Sequence, residues 1–153
     1  MSKPHWLSLE SIQVLHALVV DAHGGDAAMR DERRMDAATA RPRQQHAYGE
    51  KSLAKLAAAY AVGIVQGHPF VDGNKRTGFM AAAAFLELNG RIFAAPEVEV
   101  VLQTLGLAAG EVSEAQYAEW LEKSSRPAAP KPRKPRKQPD SLGFRALGLH
   151  LSF

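Results

Sequence analysis

Apolar residues recur three and four apart over most of the chain. From Ser8 onward, Ile12, Leu15, Val19 and Ala22 keep helical spacing, with Leu18 beside them. Ser8 as N-cap and Glu10 in the first turn open this helix, and Gly24-Gly25 ends it. A shorter helix is predicted from Asp31 through Ala40, stopped ahead of Pro42 because the residue before a proline is pushed out of the helical region. Residues 41–50, RPRQQHAYGE, show no period and read as a loop or a short hairpin. From Lys51 to Gln66 a buried helix is predicted: Leu53, Leu56, Ala57, Tyr60 and Ile64 share a face, and the alanines let neighbours approach. Gly67 caps it, and Pro69 and Gly73 break the chain before a new apolar helix from about Asn74 to Leu88, closed by Asn89-Gly90. Glu97 to Leu105 is helical after Pro96, and Ser113-Glu-Ala-Gln116 is a capping box that opens a last helix to about Ser124. The pattern defines an all-α protein, a compact bundle of about six helices without internal repeats.

From Arg126 the composition changes. Five of the nine prolines fall in 127–139, interleaved with Lys and Arg in KPRKPRK, which reads as an extended, solvated linker. Leu147 to Phe153 alternates apolar and other residues, either as a strand-like docking segment or as an unselected extension. The expected division is a folded domain over 4–125 and a flexible basic tail over 126–153. The formal charge of +3 hides an asymmetry: seven Lys/Arg against one acid in 126–153 leave twelve against fifteen in the rest. The basic pI belongs to the tail, so a nucleic-acid role argued from charge concerns the tail alone. The chain has no cysteine, which removes disulfides and thiolate zinc sites and fits a reducing compartment. No apolar run approaches the roughly 20 residues of a membrane span. No signal-peptide pattern opens the chain, so the cytoplasm is the expected location.

One stretch does not belong to the packing pattern. HPFVDGNKRTGF, His68 to Phe79, places a histidine, an acid, an amide, a lysine and an arginine in nine residues at a loop–helix junction. The first N–H groups of a helix lack intrahelical partners and carry the positive end of the dipole, which makes an anion site. Gly73 lets a phosphate approach the backbone without a Cβ in the way. Lys75 and Arg76 fall in the first turn, where cations are electrostatically unfavourable unless an external anion offsets them. Asp72 is placed to hold a magnesium ion shared with phosphates. His68 is the general-base candidate for a hydroxyl attacking phosphorus. Phe70 anchors the loop in the bundle, and Pro69 stiffens it. Taken singly, each residue has a bland reading as a turn, a solvated cation or a structural histidine. Six fixed positions, His68, Phe70, Asp72, Gly73, Asn74 and Arg76, recur by chance only about once in 10⁷–10⁸ windows at typical residue frequencies.

Those six positions resemble the signature of the Fido superfamily, H-x-F-x-[DE]-G-N-G-R-x-x-R. Lys75 stands for the second glycine and Phe79 for the final arginine, so the stretch is more similar to the death-on-curing (Doc) branch than to the Fic branch. The resemblance extends over about residues 4 to 124, through SIQVLHALVVDAHGG, MRDERRMDAATARP, YGEKSLAKLAAAYAVGIVQGHPF and FLELNGRIF. It implies a Fido fold and a bacterial toxin of a type II toxin–antitoxin module. Such toxins transfer phosphate from ATP to a hydroxyl of the elongation factor EF-Tu and arrest translation. On this chain His68 would be the base, Asp72 would bind Mg²⁺, and Gly73, Asn74, Lys75 and Arg76 would cradle the phosphates. Lys75 adds bulk and charge where the Fic branch accommodates an α-phosphate, and Phe79 removes a triphosphate-orienting arginine. Both changes favour phosphoryl transfer over Fic-like transfer of AMP.

The resemblance also places a flap at 41–50, where a target segment docks as an added strand; a plain connector is the alternative, and His46 within it is incidental. No [ST]-x-x-x-E-[GN] inhibitory helix of the Fic type occurs in the chain, so inhibition is expected in trans from a Phd-like antitoxin that folds on binding. KPRKPRK is a solubilising linker before it is a nucleic-acid grip. Two other functions stay open on sequence alone: an adenylyltransferase on the same scaffold, and a binding or regulatory module with a vestigial site.

Overall fold

The computed structural model describes residues 3–129. The basic run 131–137 and the leucine-rich stretch 147–153 lie outside them. The element order is α1 (Leu9–His23), α2 (Glu32–Ala47), α3 (Leu53–Val65), α4 (Asn74–Leu88), β1 (Arg91–Phe93), α5 (Glu97–Ala109), α6 (Glu114–Lys123) and β2 (Ser125–Pro127). The fold is all-α, as the periodicity requires, with six helices among the described residues.

The predicted caps form. Ser8 accepts from the Ser11 N–H at 3.0 Å, and Ser113 and Gln116 close a reciprocal capping box. α3 and α4 form the centre of the bundle: 10 of 13 residues in α3 and 11 of 15 in α4 are buried. Helices covered on nearly every side need small residues to approach one another, which accounts for the alanine runs Ala57–Ala59 and Ala81–Ala84. The N-terminal segment is strapped onto this pair by the buried Tyr60 hydroxyl, which accepts from the Leu7 N–H and donates to its carbonyl. Burial raises the Tyr60 pKa above the usual phenol value, so the hydroxyl stays a donor at neutral pH.

Two expectations give way. α2 does not stop ahead of Pro42 but continues to Ala47 with Pro42 inside it. Met35, Ala38 and Pro42 form its buried face, and burying the ring there offsets the helical hydrogen bond that proline cannot make. Residues 41–50 are therefore no flap hairpin. Their N–H groups are engaged within the helix and its C-terminal turn: Tyr48 donates to the Gln44 and Gln45 carbonyls, Gly49 to His46 and Glu50 to Gln45. His46 closes that turn, its Nδ1 donating to the Glu50 carbonyl at 3.0 Å. The small sheet lies elsewhere, where β1 pairs antiparallel with β2 in the register Arg91↔Pro127. Ordered pairing runs on to the Ala128 N–H, which donates to Gly90. No described helix is long and apolar enough to cross a membrane.

α2 crosses α3 at Gly63, where an added Cβ would lie 2.8 Å from the Ala38 Cα. Backbone cannot yield as a flexible side chain does. Gly63→Ala is therefore expected to destabilise by about 1–3 kcal/mol, the usual cost of overpacking, read as a lowered urea midpoint.

Candidate active site

The signature residues sit where α3 ends and α4 begins, and three neighbouring segments hold them. The His68 N–H donates to the Ile64 carbonyl at 3.1 Å, continuing the last turn of α3. His68 itself has a φ of 52°, the only positive value at a described non-glycine residue. Such a backbone is rare for a residue with a Cβ and is retained where the surroundings over-determine it. The surroundings here are an antiparallel stretch: the Pro69 carbonyl accepts from the Arg30 and Asp31 N–H groups, Val71 N–H donates to Ala28, and Met29 bridges Phe70. Arg34 of α2 adds a bond from Nη1 to the Gly67 carbonyl at 3.0 Å.

Asn74 ties the loop from inside. Its side chain is buried; Oδ1 accepts from the Phe70 N–H at 3.1 Å and Nδ2 donates to the Phe70 carbonyl at 2.9 Å. The same Nδ2 approaches His68 Nδ1 at 3.3 Å, longer than a normal hydrogen bond. The amide is thus engaged with the loop, and what Asn74 offers to an anion is its backbone N–H. Phe70 is 2% exposed and stacks on the ring of His16 at 3.6 Å, as its anchoring role requires.

Gly73 is the N-cap of α4 with φ 83°, and no side chain caps that helix. Its first turn carries Lys75 and Arg76, both partly exposed. Partial burial lowers the pKa of Arg76 from the ordinary guanidinium value, yet a guanidinium remains charged at neutral pH. Asp72 lies just outside the turn. Its Oδ2 accepts from the Asp26 N–H at 2.8 Å, and Oδ1 has no protein partner among the described residues. Phe79 points away from all of this, fully buried against Phe93 at 5.4 Å and Trp120 at 6.4 Å.

Every residue the signature singles out is therefore present at one junction. The sequence reading missed three supports: His16, Asp26 and Arg34. Only His16 left a signal, as a polar residue among Ile12, Leu15 and Val19 on the buried face of α1. Asp26 and Arg34 sit in unremarkable polar surroundings, and nothing local marks them.

Fold and junction together define a small helical protein with a charged, glycine-led loop–helix turn at one pole. Residues 6–86 match the Fic/DOC family. The chain is 35% identical over 119 residues to the protein kinase doc of Escherichia phage P1, covering 76% of this chain and 93% of that protein. It is 44% identical over 72 residues to the toxin Doc of Mycolicibacterium smegmatis (strain ATCC 700084 / mc(2)155), covering 45% of this chain and 55% of that toxin. The chain belongs to the Fic/DOC family, on its Doc side.

Proposed function

We propose that this protein is a Doc-like toxin that transfers a phosphoryl group from ATP to a protein hydroxyl, with EF-Tu as target and arrest of translation as the result. The observation that carries the reading is the start of α4, which has no side-chain cap and whose Asn74 approaches His68: uncapped main-chain donors and the positive helix end lie beside a base. The acceptor hydroxyl gives its proton to His68 Nε2 while its oxygen attacks the γ-phosphorus. The bond from that phosphorus to the β–γ bridging oxygen breaks, and ADP leaves. Lys75, Arg76 and the first N–H groups of α4 meet the charge on the transferring and leaving oxygens, as in other phosphoryl transfers. For Nε2 to take a proton, the neutral ring must carry its hydrogen on Nδ1. The long contact to Asn74 Nδ2 then opens by a small rotation of the imidazole.

Asp72 suits a magnesium ion. One carboxylate oxygen is held by Asp26 and the other is available. No group of three or more His, Cys, Asp or Glu that could cage a metal occurs among the described residues. A single carboxylate plus phosphate oxygens and water is the usual Mg²⁺ arrangement, and the ion supplies charge neutralisation to the phosphates. The burial of Phe79 supports phosphoryl over adenylyl transfer, because no cation reaches the nucleotide from that position. Restraint of the toxin would come from a Phd-like antitoxin in the bacterial cytoplasm.

Intact-mass spectrometry of EF-Tu after incubation with this protein, ATP and Mg²⁺ tests the reading. The expected result is a gain of one phosphate that disappears with a His68→Ala enzyme. A gain of one AMP would replace kinase by adenylyltransferase, and an unmodified EF-Tu would overturn the target.

A further inference from the structure

We infer that His16 is a positioning residue of the phosphate cradle: its hydrogen bond to the Asp72 carbonyl aims the Gly73 N–H at the bound phosphate. The inference rests on the phosphate-binding reading of the junction and adds to it a residue 52 or more positions earlier in the chain.

Three observations converge on His16. It is 3% exposed, so its ring is fixed by packing. Its plane lies 7° from that of Phe70 at 3.6 Å, which sets the ring's orientation. Its Nε2 lies 2.7 Å from the Asp72 carbonyl oxygen. A carbonyl only accepts, so Nε2 carries the hydrogen and donates it. The Asp72–Gly73 peptide is planar and trans, so its C=O and N–H point in opposite directions. A carbonyl drawn down onto a buried ring in α1 turns the Gly73 N–H up, away from α1 and out of the bundle. The ring also lies directly beneath Gly73, with Cδ2 and Nε2 each 3.5 Å from where a Cβ would stand.

The opposite edge of the same residue is held independently, by the Asp26 N–H on the Asp72 carboxylate. His16 therefore controls the peptide plane, and Asp26 the side chain. Buried stacking alone would be satisfied by any aromatic ring. A donor at the Nε2 position is what distinguishes histidine there, and glutamine places an N–H at nearly the same reach.

The test uses the ¹⁵N,¹³C-labelled full chain with His16→Phe, which keeps the ring and loses the donor, and His16→Gln, which keeps the donor. Circular dichroism verifies that each is folded. In the resting proteins, the Asp72 carbonyl carbon resonance, which answers to the hydrogen bond more than to ring currents, is expected to move in His16→Phe and to stay near its wild-type position in His16→Gln. On titration with ATP and Mg²⁺, His16→Phe is expected to bind about ten- to a hundredfold more weakly, the effect of misdirecting a hydrogen bond to a charged group. His16→Gln should bind within a few-fold of wild type. A His16→Phe protein with wild-type affinity and an unmoved Asp72 carbonyl carbon overturns the inference. If the wild type itself shows no ATP-dependent change at the junction, the phosphate reading fails, and the aiming role for His16 fails with it. The resting resonances still decide whether His16 sets the Asp72–Gly73 peptide plane.

Discussion

Replacing His68 with alanine lowers phosphoryl transfer by about 10²–10⁴-fold, the range for loss of a positioned general base, and leaves the fold intact. The second half of that expectation follows from the backbone. His68 is held at φ 52° by its neighbours, and among the described residues its imidazole makes one polar contact, the long 3.3 Å approach to Asn74. Removing the ring therefore costs little packing. His68→Gly goes further: it loses activity equally but relieves a left-handed backbone that costs a residue with a Cβ roughly 1–2 kcal/mol. Part of that gain returns as greater freedom of the unfolded chain. Single-turnover rates and urea midpoints measured on the same preparations separate the two quantities. A His68→Ala enzyme with wild-type rate would remove the base assignment. A His68→Gly protein less stable than His68→Ala would remove the strain.

Asn74→Ala acts the other way round, through the structure first. The amide satisfies both the N–H and the carbonyl of the buried Phe70. Removing it orphans two buried main-chain groups, each costing about 1–3 kcal/mol, so a loss of about 2–6 kcal/mol is expected. Asn74→Asp is informative because it can still accept from the Phe70 N–H but sets a carboxylate oxygen against the Phe70 carbonyl. It should be destabilised even though its shape is unchanged. Equilibrium urea unfolding reads both variants. Transfer activity falls with them because the same loop carries His68. Unfolding of Asn74→Ala at the wild-type midpoint would show that the amide does not hold the loop.

The local devices of this fold were legible in the sequence because their physics is local. Ser8, Ser113 and Gln116 announce helix starts within four residues of the groups they cap, and Asn89-Gly90 ends α4 where expected. The candidate site could be located for the same reason, since its residues 68–76 are contiguous. Features that depend on residues far apart were not. The pairing of 91–93 with 125–127 joins two three-residue strands with no alternation to reveal them. The antiparallel run of 28–31 against 69–71 bridges about forty residues and gives the signature loop its shape. Pro42 misled because a proline's local preference was overridden by burial of its ring against the bundle. His16 shows the intermediate case: its place on an apolar helix face was visible, but its partner, a main-chain carbonyl 56 residues away, was not.

The inward turn of Phe79 has a consequence for descent. The arginine that ends the Fic-branch signature cannot be regained here by one codon change, because the position now belongs to an aromatic cluster with Phe93 and Trp120. A guanidinium placed there would be buried without a partner, at a cost of several kcal/mol that exceeds much of a small domain's stability. The absence of that arginine is therefore held by the hydrophobic core and not by the site alone. A lineage that carries this core has to rebuild its interior before an arginine can return to that position.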